Sequence, residues 1–141
     1  MANVKLDYLI SVFPIMLRYL NVTLGLALLA LLIALVVGVI LAVIIQFKVK
    51  ILYQLSKIYV SFFRSTPFIA QLFLFYYGLP QFSTTIRDMS PALAIIIVLG
   101  MNSSAYMAET IRGSINSVDK GQFEACLSVG MTNMQAIRRV I

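Results

Sequence analysis

The stretch Leu24–Ile45, LGLALLALLIALVVGVILAVII, runs for 22 residues without a charged or polar side chain. As an α-helix rising about 1.5 Å per residue it would extend roughly 33 Å, enough to cross a bilayer core of about 30 Å. The rest of the 141-residue chain agrees, being 61% hydrophobic and 11% charged, with a mean hydropathy of +0.96. That balance excludes an ordinary soluble domain. A cleaved signal peptide would need an apolar core of only about 7–15 residues with a basic stretch before it and a small-residue cleavage site after it. Here the run is longer, Asp7 lies upstream, and the basic stop Gln46-Phe47-Lys48-Val49-Lys50 follows.

The remaining composition narrows the chemistry. There is no histidine, no tryptophan and a single cysteine, so a disulfide within the chain is impossible and a Cys/His metal site is not expected. Cys126 reads as a small apolar helix residue. The net charge of +6 would invite a nucleic-acid partner in a soluble protein. Its basic residues flank apolar runs, however, so they read as determinants of membrane orientation, and no nucleic acid is expected.

Three spans are readable, at about 23–45, 55–79 and 91–108. The second is the least regular, since Phe68–Leu79 is too short to cross alone and its extension back toward Tyr53 includes Arg64, Ser65, Thr66 and Pro67. Long basic side chains at that end, Lys57 and Arg64, can reach the headgroups. Pro67 should kink this helix or form its rigid entry, and Gly78-Leu79-Pro80 should end it. Pro91 suits the first turn of the third span. Lys48, Lys50, Lys57 and Arg64 lie in or beside the first loop, Arg87 next to Asp88 in the second, and Arg112, Lys120, Arg138 and Arg139 after the third span. The positive-inside rule then places the first loop and the C-terminal segment in the cytoplasm and the N-terminus, with Lys5 and Arg18, outside.

Small residues recur at helical spacing. Ala30, Ala34, Gly38 and Ala42 share one face of the first span, as Gly100, Ser104 and Ala108 do in the third. Such stripes let backbones approach closely in lipid, where apolar burial no longer drives association. The stripe of the third span lies among Asn102, Ser103 and Tyr106, polar groups that are costly against hydrocarbon, so this side should face protein or a water-filled path. Gln71 joins them as a candidate for lining such a path, with interhelical hydrogen bonding as the alternative role.

Residues 109–141 are polar enough to leave the membrane and patterned enough to fold. Glu109 and Arg112, three apart, can pair on one helix face. Ser117 to Gln122 reads as a turn, Gln122–Val129 as a short helix stopped by Gly130, and Thr132 as the cap of a second short helix. The result is a protruding elbow. It supplies no nucleophile–base pair, phosphate loop or metal cluster, and Glu124 has no acid–base partner, so the chain is not expected to be an enzyme or to hold a cofactor.

On these residues the chain resembles the permease subunits of binding-protein-dependent ABC importers. That family carries a cytoplasmic Glu-Ala-Ala motif with a glycine four positions after its third residue, and Ile-x-Leu-Pro further on. Glu124, Ala125 and Gly130 match as they stand, Cys126 replaces the second alanine, and Val140 stands where the family has Ile. The chain stops at Ile141, before the Leu-Pro, and is expected to be a C-terminally truncated form. Phe63-Arg64-Ser65-Thr66-Pro67 leading to Gln71-Leu72-Phe73, and Ala105-Tyr106-Met107-Ala108-Glu109 followed by Arg112-Gly113, look like the polar amino-acid branch, which serves histidine, glutamate, glutamine, arginine, opine or cystine-type substrates.

The resemblance implies an all-α membrane fold of the type I ABC importer kind, with three of about five transmembrane helices within this chain. It implies import of a polar amino acid or cystine-like solute across the cell membrane. The expected partners are a cytosolic ATPase that hydrolyses ATP, a second permease chain, an extracytoplasmic amino-acid-binding protein and membrane lipid. Gly121, Glu124, Ala125, Cys126 and Gly130 would form the ATPase-coupling elbow: Glu124 orienting it, Ala125 and Cys126 allowing close approach, Gly130 permitting the bend. Arg64, Pro67, Glu109 and Arg112 would shape the cytoplasmic mouth. The competing reading is a small three-helix membrane adaptor without transport activity.

Overall fold

The computed structural model describes residues 6–82 and 88–139, without side-chain detail for residues 6, 7, 9 and 120. Lys5, Arg87, Val140 and Ile141, which enter the sequence reading, lie outside the described residues, as does the side chain of Lys120. Every regular element described is helical: α1 (Leu6–Gln46), α2 (Lys50–Ser65), α3 (Phe68–Phe73), α4 (Pro91–Asn116), α5 (Lys120–Ser128) and α6 (Asn133–Arg139). A π-helical turn, Leu74–Gly78, and a 3-10 turn, Leu79–Gln81, follow α3.

The first helix begins well before the expected span and continues for 41 residues through Pro14. The polar residues on the way do not break it, because their hydroxyls bond to the helix itself: Ser11 Oγ donates to Tyr8 O at 2.8 Å and Thr23 Oγ1 to Tyr19 O at 3.2 Å. Its end is a Schellman turn in which Val49 N–H donates to Ile44 O at 3.1 Å and Lys48 N–H to Ile45 O at 3.4 Å. Lys48 occupies the left-handed position of that turn, at φ 50°, where glycine is the usual residue.

Packing is organised by the two small-residue stripes. Ala30, Ala34, Gly38 and Ala42 are buried on α1, facing Gly100, Ser104, Ala105 and Ala108 on α4. The approach is close enough to need both glycines. A Cβ on Gly38 would lie 2.8 Å from Met107 Cβ and 3.2 Å from the Ser104 carbonyl oxygen; one on Gly100 would lie 2.8 Å from Ile33 Cβ and 3.2 Å from Ala30 O. From α2, Val60 joins Leu41, Ala42, Ala105 and Ala108 in the core, with Tyr59 and Phe63 packed beside it.

The region from 55 to 79 is not one continuous helix. α2 ends at Ser65, and the helical segment from Phe68 to Gln81 leaves it at 109°. Pro67 is the physical reason: it has no N–H to offer the preceding turn and disfavours a helical conformation at Thr66, which is extended at φ −111°, ψ 142°. α1 from Ile10 and α4 are each long and apolar enough to cross a membrane; the bent pair makes a third span only if counted as one. Ser90 opens α4 by accepting from Leu93 N at 3.2 Å, with Pro91 in the first turn.

Candidate functional site

A proline within a helical run orphans the carbonyl four residues upstream. Here that carbonyl belongs to Phe63, and two side-chain amides satisfy it: Gln71 Nε2 donates to Phe63 O at 3.1 Å and Asn102 Nδ2 donates to the same oxygen at 3.1 Å. Asn102 also donates to Gln71 Oε1 at 3.0 Å, and Gln71 Nε2 reaches Thr66 O at 3.0 Å and Thr66 Oγ1 at 2.6 Å. Thr66 Oγ1 in turn donates to Phe62 O at 2.7 Å. Gln71 is 6% exposed, so these bonds are made in a setting where an unmet amide is costly. Of the four residues considered for a solute path, Gln71 and Asn102 are therefore joined in one network that fixes the bend between α2 and α3. A small apolar cavity of about 110 Å³ lies beside it, lined by Phe62, Phe75, Leu79, Val98 and Met101 as well as Gln71.

Ser103 and Tyr106 sit elsewhere on α4. Ser103 is half-buried. Tyr106 is 49% exposed, with the Arg64 guanidinium 5.7 Å from its ring centre, within cation–π range. One turn further along α4, Glu109 Oε2 pairs with Arg112 Nη2 at 2.8 Å and lies 3.8 Å from Arg64 Nη1. Arg64, Glu109 and Arg112 are thus brought together, tying the end of α2 to α4, with Pro67 three residues beyond Arg64.

The elbow follows directly. Asp119 caps α5, its Oδ1 accepting from Gly121 N–H at 2.6 Å. α5 closes in a Schellman turn, with Met131 N–H donating to Cys126 O at 3.1 Å and Gly130 N–H to Leu127 O at 3.0 Å. Gly130 has φ 82°, a backbone that a side chain would strain. α6 opens with a reciprocal capping box, Gln135 N–H to Thr132 Oγ1 at 3.3 Å and Thr132 N–H to Gln135 Oε1 at 2.9 Å. The two short helices pack together and bury Cys126 and Ala136, while Glu124 and Ala125 are exposed. Glu124 borders a cleft of about 520 Å³, walled by Phe47, Val118, Phe123 and Ile137, between the elbow and the ends of α1 and α4. Those two ends are level, joined by Gln46 Nε2 donating to Asn116 Oδ1 at 3.0 Å.

Several contributing residues were not singled out from the sequence. The Tyr59 hydroxyl lies 2.9 Å from Ser104 Oγ and 3.0 Å from Met101 O, pinning α2 to α4 at a fully buried serine. Thr66 and Asp119 are the others. Asp119 carried a local signal, an N-cap residue just before a helix; Tyr59 acts through partners 42 and 45 residues away in sequence, and Thr66 through partners brought together by the proline turn.

With two helices long and apolar enough to cross a membrane, the chain is a membrane protein. The chain belongs to the family described as binding-protein-dependent transport system inner membrane component, whose model matches residues 34–141. It is 48% identical over 141 residues to the probable amino-acid permease protein YxeN of Bacillus subtilis (strain 168), covering 100% of this chain and 63% of that protein. It is 48% identical over 135 residues to the probable amino-acid ABC transporter permease protein PatM of Vibrio harveyi (96% and 60%). It is 40% identical over 132 residues to the L-cystine transport system permease protein TcyL of Bacillus subtilis (strain 168) (91% and 55%). A crystal structure of an amino acid ABC transporter with histidines superposes with a TM-score of 0.84 at 35% identity, covering 96% of this chain and 62% of that one. The all-α fold is that of an ABC-transporter permease, and this chain spans about three fifths of the length of these relatives.

Proposed function

We propose that this chain serves in the permease subunit of an ABC importer that carries a polar amino acid or cystine-like solute across the cell membrane, with ATP hydrolysed on a partner subunit. The observation that carries this reading is the elbow: two short, capped helices broken at Gly130 and joined to the 26-residue helix α4. The names of its relatives, amino-acid and cystine permeases among them, support the substrate class.

In this account the exposed Ala125 and Glu124 meet a cytosolic ATPase, and closure of two ATPases displaces the elbow. α4 carries that displacement as a rigid rod to Glu109, held by Arg64, and to Asn102, which braces the bend at Pro67. A movement at the elbow thereby reaches the junction of α2 and α3. A second permease chain and an extracytoplasmic amino-acid-binding protein complete the assembly, and the N-terminus lies outside. The adaptor reading has no specific observation in its favour.

Disruption of the gene in its native host tests the proposal, with uptake of labelled polar amino acids and cystine as the readout. Loss of uptake for one of these solutes is expected. Unchanged amino-acid uptake alongside lost sugar or metal uptake contradicts the substrate class.

A further inference from the structure

α2 presents three faces. One packs inward through Ser56, Tyr59, Val60 and Phe63; a second exposes the apolar residues Ile51, Leu55, Ile58 and Phe62; between them a basic face carries Lys50, Lys57 and Arg64 at seven-residue intervals. The basic face borders a cleft of about 390 Å³ shared with α4, whose polar walls are Tyr53, Lys57, Ser61, Arg64, Glu109 and Arg112. Its volume falls within the roughly 300–1,000 Å³ of ordinary ligand pockets. Three cations there face a single carboxylate, and both arginines already lean on that carboxylate. Among the described residues Lys57 has no acidic partner within 4.0 Å; its ammonium rests 5.4 Å from the Tyr53 ring centre.

A second, shallower groove runs along the same helix, lined by Lys57, Ile58, Ser61, Phe62 and Ser65. Lys57 and Ser61 belong to both hollows. A positively charged cleft thus opens onto an apolar strip exposed on the described helices, close to the ends of α1 and α4.

We infer that this cleft is a binding site for the phosphodiester headgroup of an anionic phospholipid, with Lys57 as its principal contact and an acyl chain along Ile58 and Phe62. An excess of positive charge in a cleft attracts an anion, and basic pockets between membrane helices near the bilayer surface take phospholipid headgroups for that reason. The adjoining apolar groove favours a lipid over free phosphate, because phosphate alone leaves Ile58 and Phe62 unused. An amphipathic helix with a basic flank also belongs at the level of the headgroups. The inference needs only the membrane setting of α1 and α4 and is independent of the substrate carried.

The test is native mass spectrometry of the purified, assembled transporter in detergent with phosphatidylglycerol, with phosphatidylcholine, and with inorganic phosphate. One phosphatidylglycerol should be retained in preference to phosphatidylcholine. Lys57→Gln should weaken retention about fivefold, the effect of one basic group near the surface, and Lys57→Arg should restore it. Lys50→Gln, on the same face but away from the cleft walls, should leave retention unchanged, and thermal unfolding in phosphatidylcholine should be equal for all four proteins. Equal retention by wild type and Lys57→Gln overturns the inference. So does equal retention of the two lipids, or displacement of phosphatidylglycerol by millimolar inorganic phosphate.

Discussion

Gln71, on α3 just past the bend, and Asn102, across from it on α4, donate to the same acceptor, the Phe63 carbonyl that Pro67 leaves without an N–H, each at 3.1 Å. The proline makes the break, and the two amides decide its shape, because they reward only a geometry in which α3 folds back toward α4. Truncating either leaves part of a buried polar network unmet, at about 1–3 kcal/mol.

The network is testable as a cycle. Asn102→Ala should lower unfolding stability in detergent by about 1–3 kcal/mol. In a Pro67→Ala background the same change should cost less, because the restored N–H can bond to Phe63 O. Identical costs in both backgrounds would show that Asn102 does not act through the proline break.

The α1–α4 contact makes a second prediction. Gly38→Ala and Gly100→Ala each place a Cβ 2.8 Å from a neighbouring Cβ and 3.2 Å from a backbone oxygen. Each should destabilise by about 1–3 kcal/mol, the usual cost of overpacking. Gly25→Ala, with nothing within 4 Å of the added atom, should be near neutral in the same assay. Equal effects at all three positions would remove the close-approach argument.

Two Schellman turns of opposite residue choice give a third. Gly130 sits at φ 82° and Lys48 at φ 50°. Gly130→Val should strain the elbow by about 1–3 kcal/mol, whereas Lys48→Gly should stabilise the end of α1 by about 1 kcal/mol. Proteolysis rates at each turn report the two effects separately, and a protease-resistant elbow in Gly130→Val would contradict the first.

Much of this was readable in the sequence because it is local or periodic. The apolar run of α1 and the two small-residue stripes follow from composition and a four-residue repeat, and Gly130 and Thr132 carry familiar stop and start chemistry. The bend at Pro67 was only half legible. Proline signals a break, but its angle is fixed by Asn102, 39 residues from the Phe63 it bonds, and no local pattern encodes that partner. The Tyr59–Ser104 contact, 45 residues apart, escaped for the same reason. The sequence marks only the purely apolar part of α1, because hydropathy shows where a chain loses its polar groups, whereas Ser11 and Thr23 spend their hydroxyls on the helix's own carbonyls. The coupling role proposed for Glu124, Ala125 and Gly130 rests on resemblance, since nothing in their spacing specifies an ATPase.

Orientation is tested by accessibility. With Cys126 replaced by alanine, single cysteines at Asn3 and Thr132 in intact cells should react with an impermeant reagent at Asn3 only. Labelling at Thr132 alone would invert the topology and remove the elbow from the cytoplasm.

The most direct measurement of the central claim is Ala125→Trp in the assembled transporter. Ala125 is exposed on α5, so the large side chain should leave folding and membrane insertion unchanged while blocking the ATPase sterically. The account predicts that solute uptake and substrate-stimulated ATP hydrolysis fall together, with less ATPase co-purifying. Wild-type uptake in a normally inserted Ala125→Trp protein would contradict it and leave the elbow a surface helix.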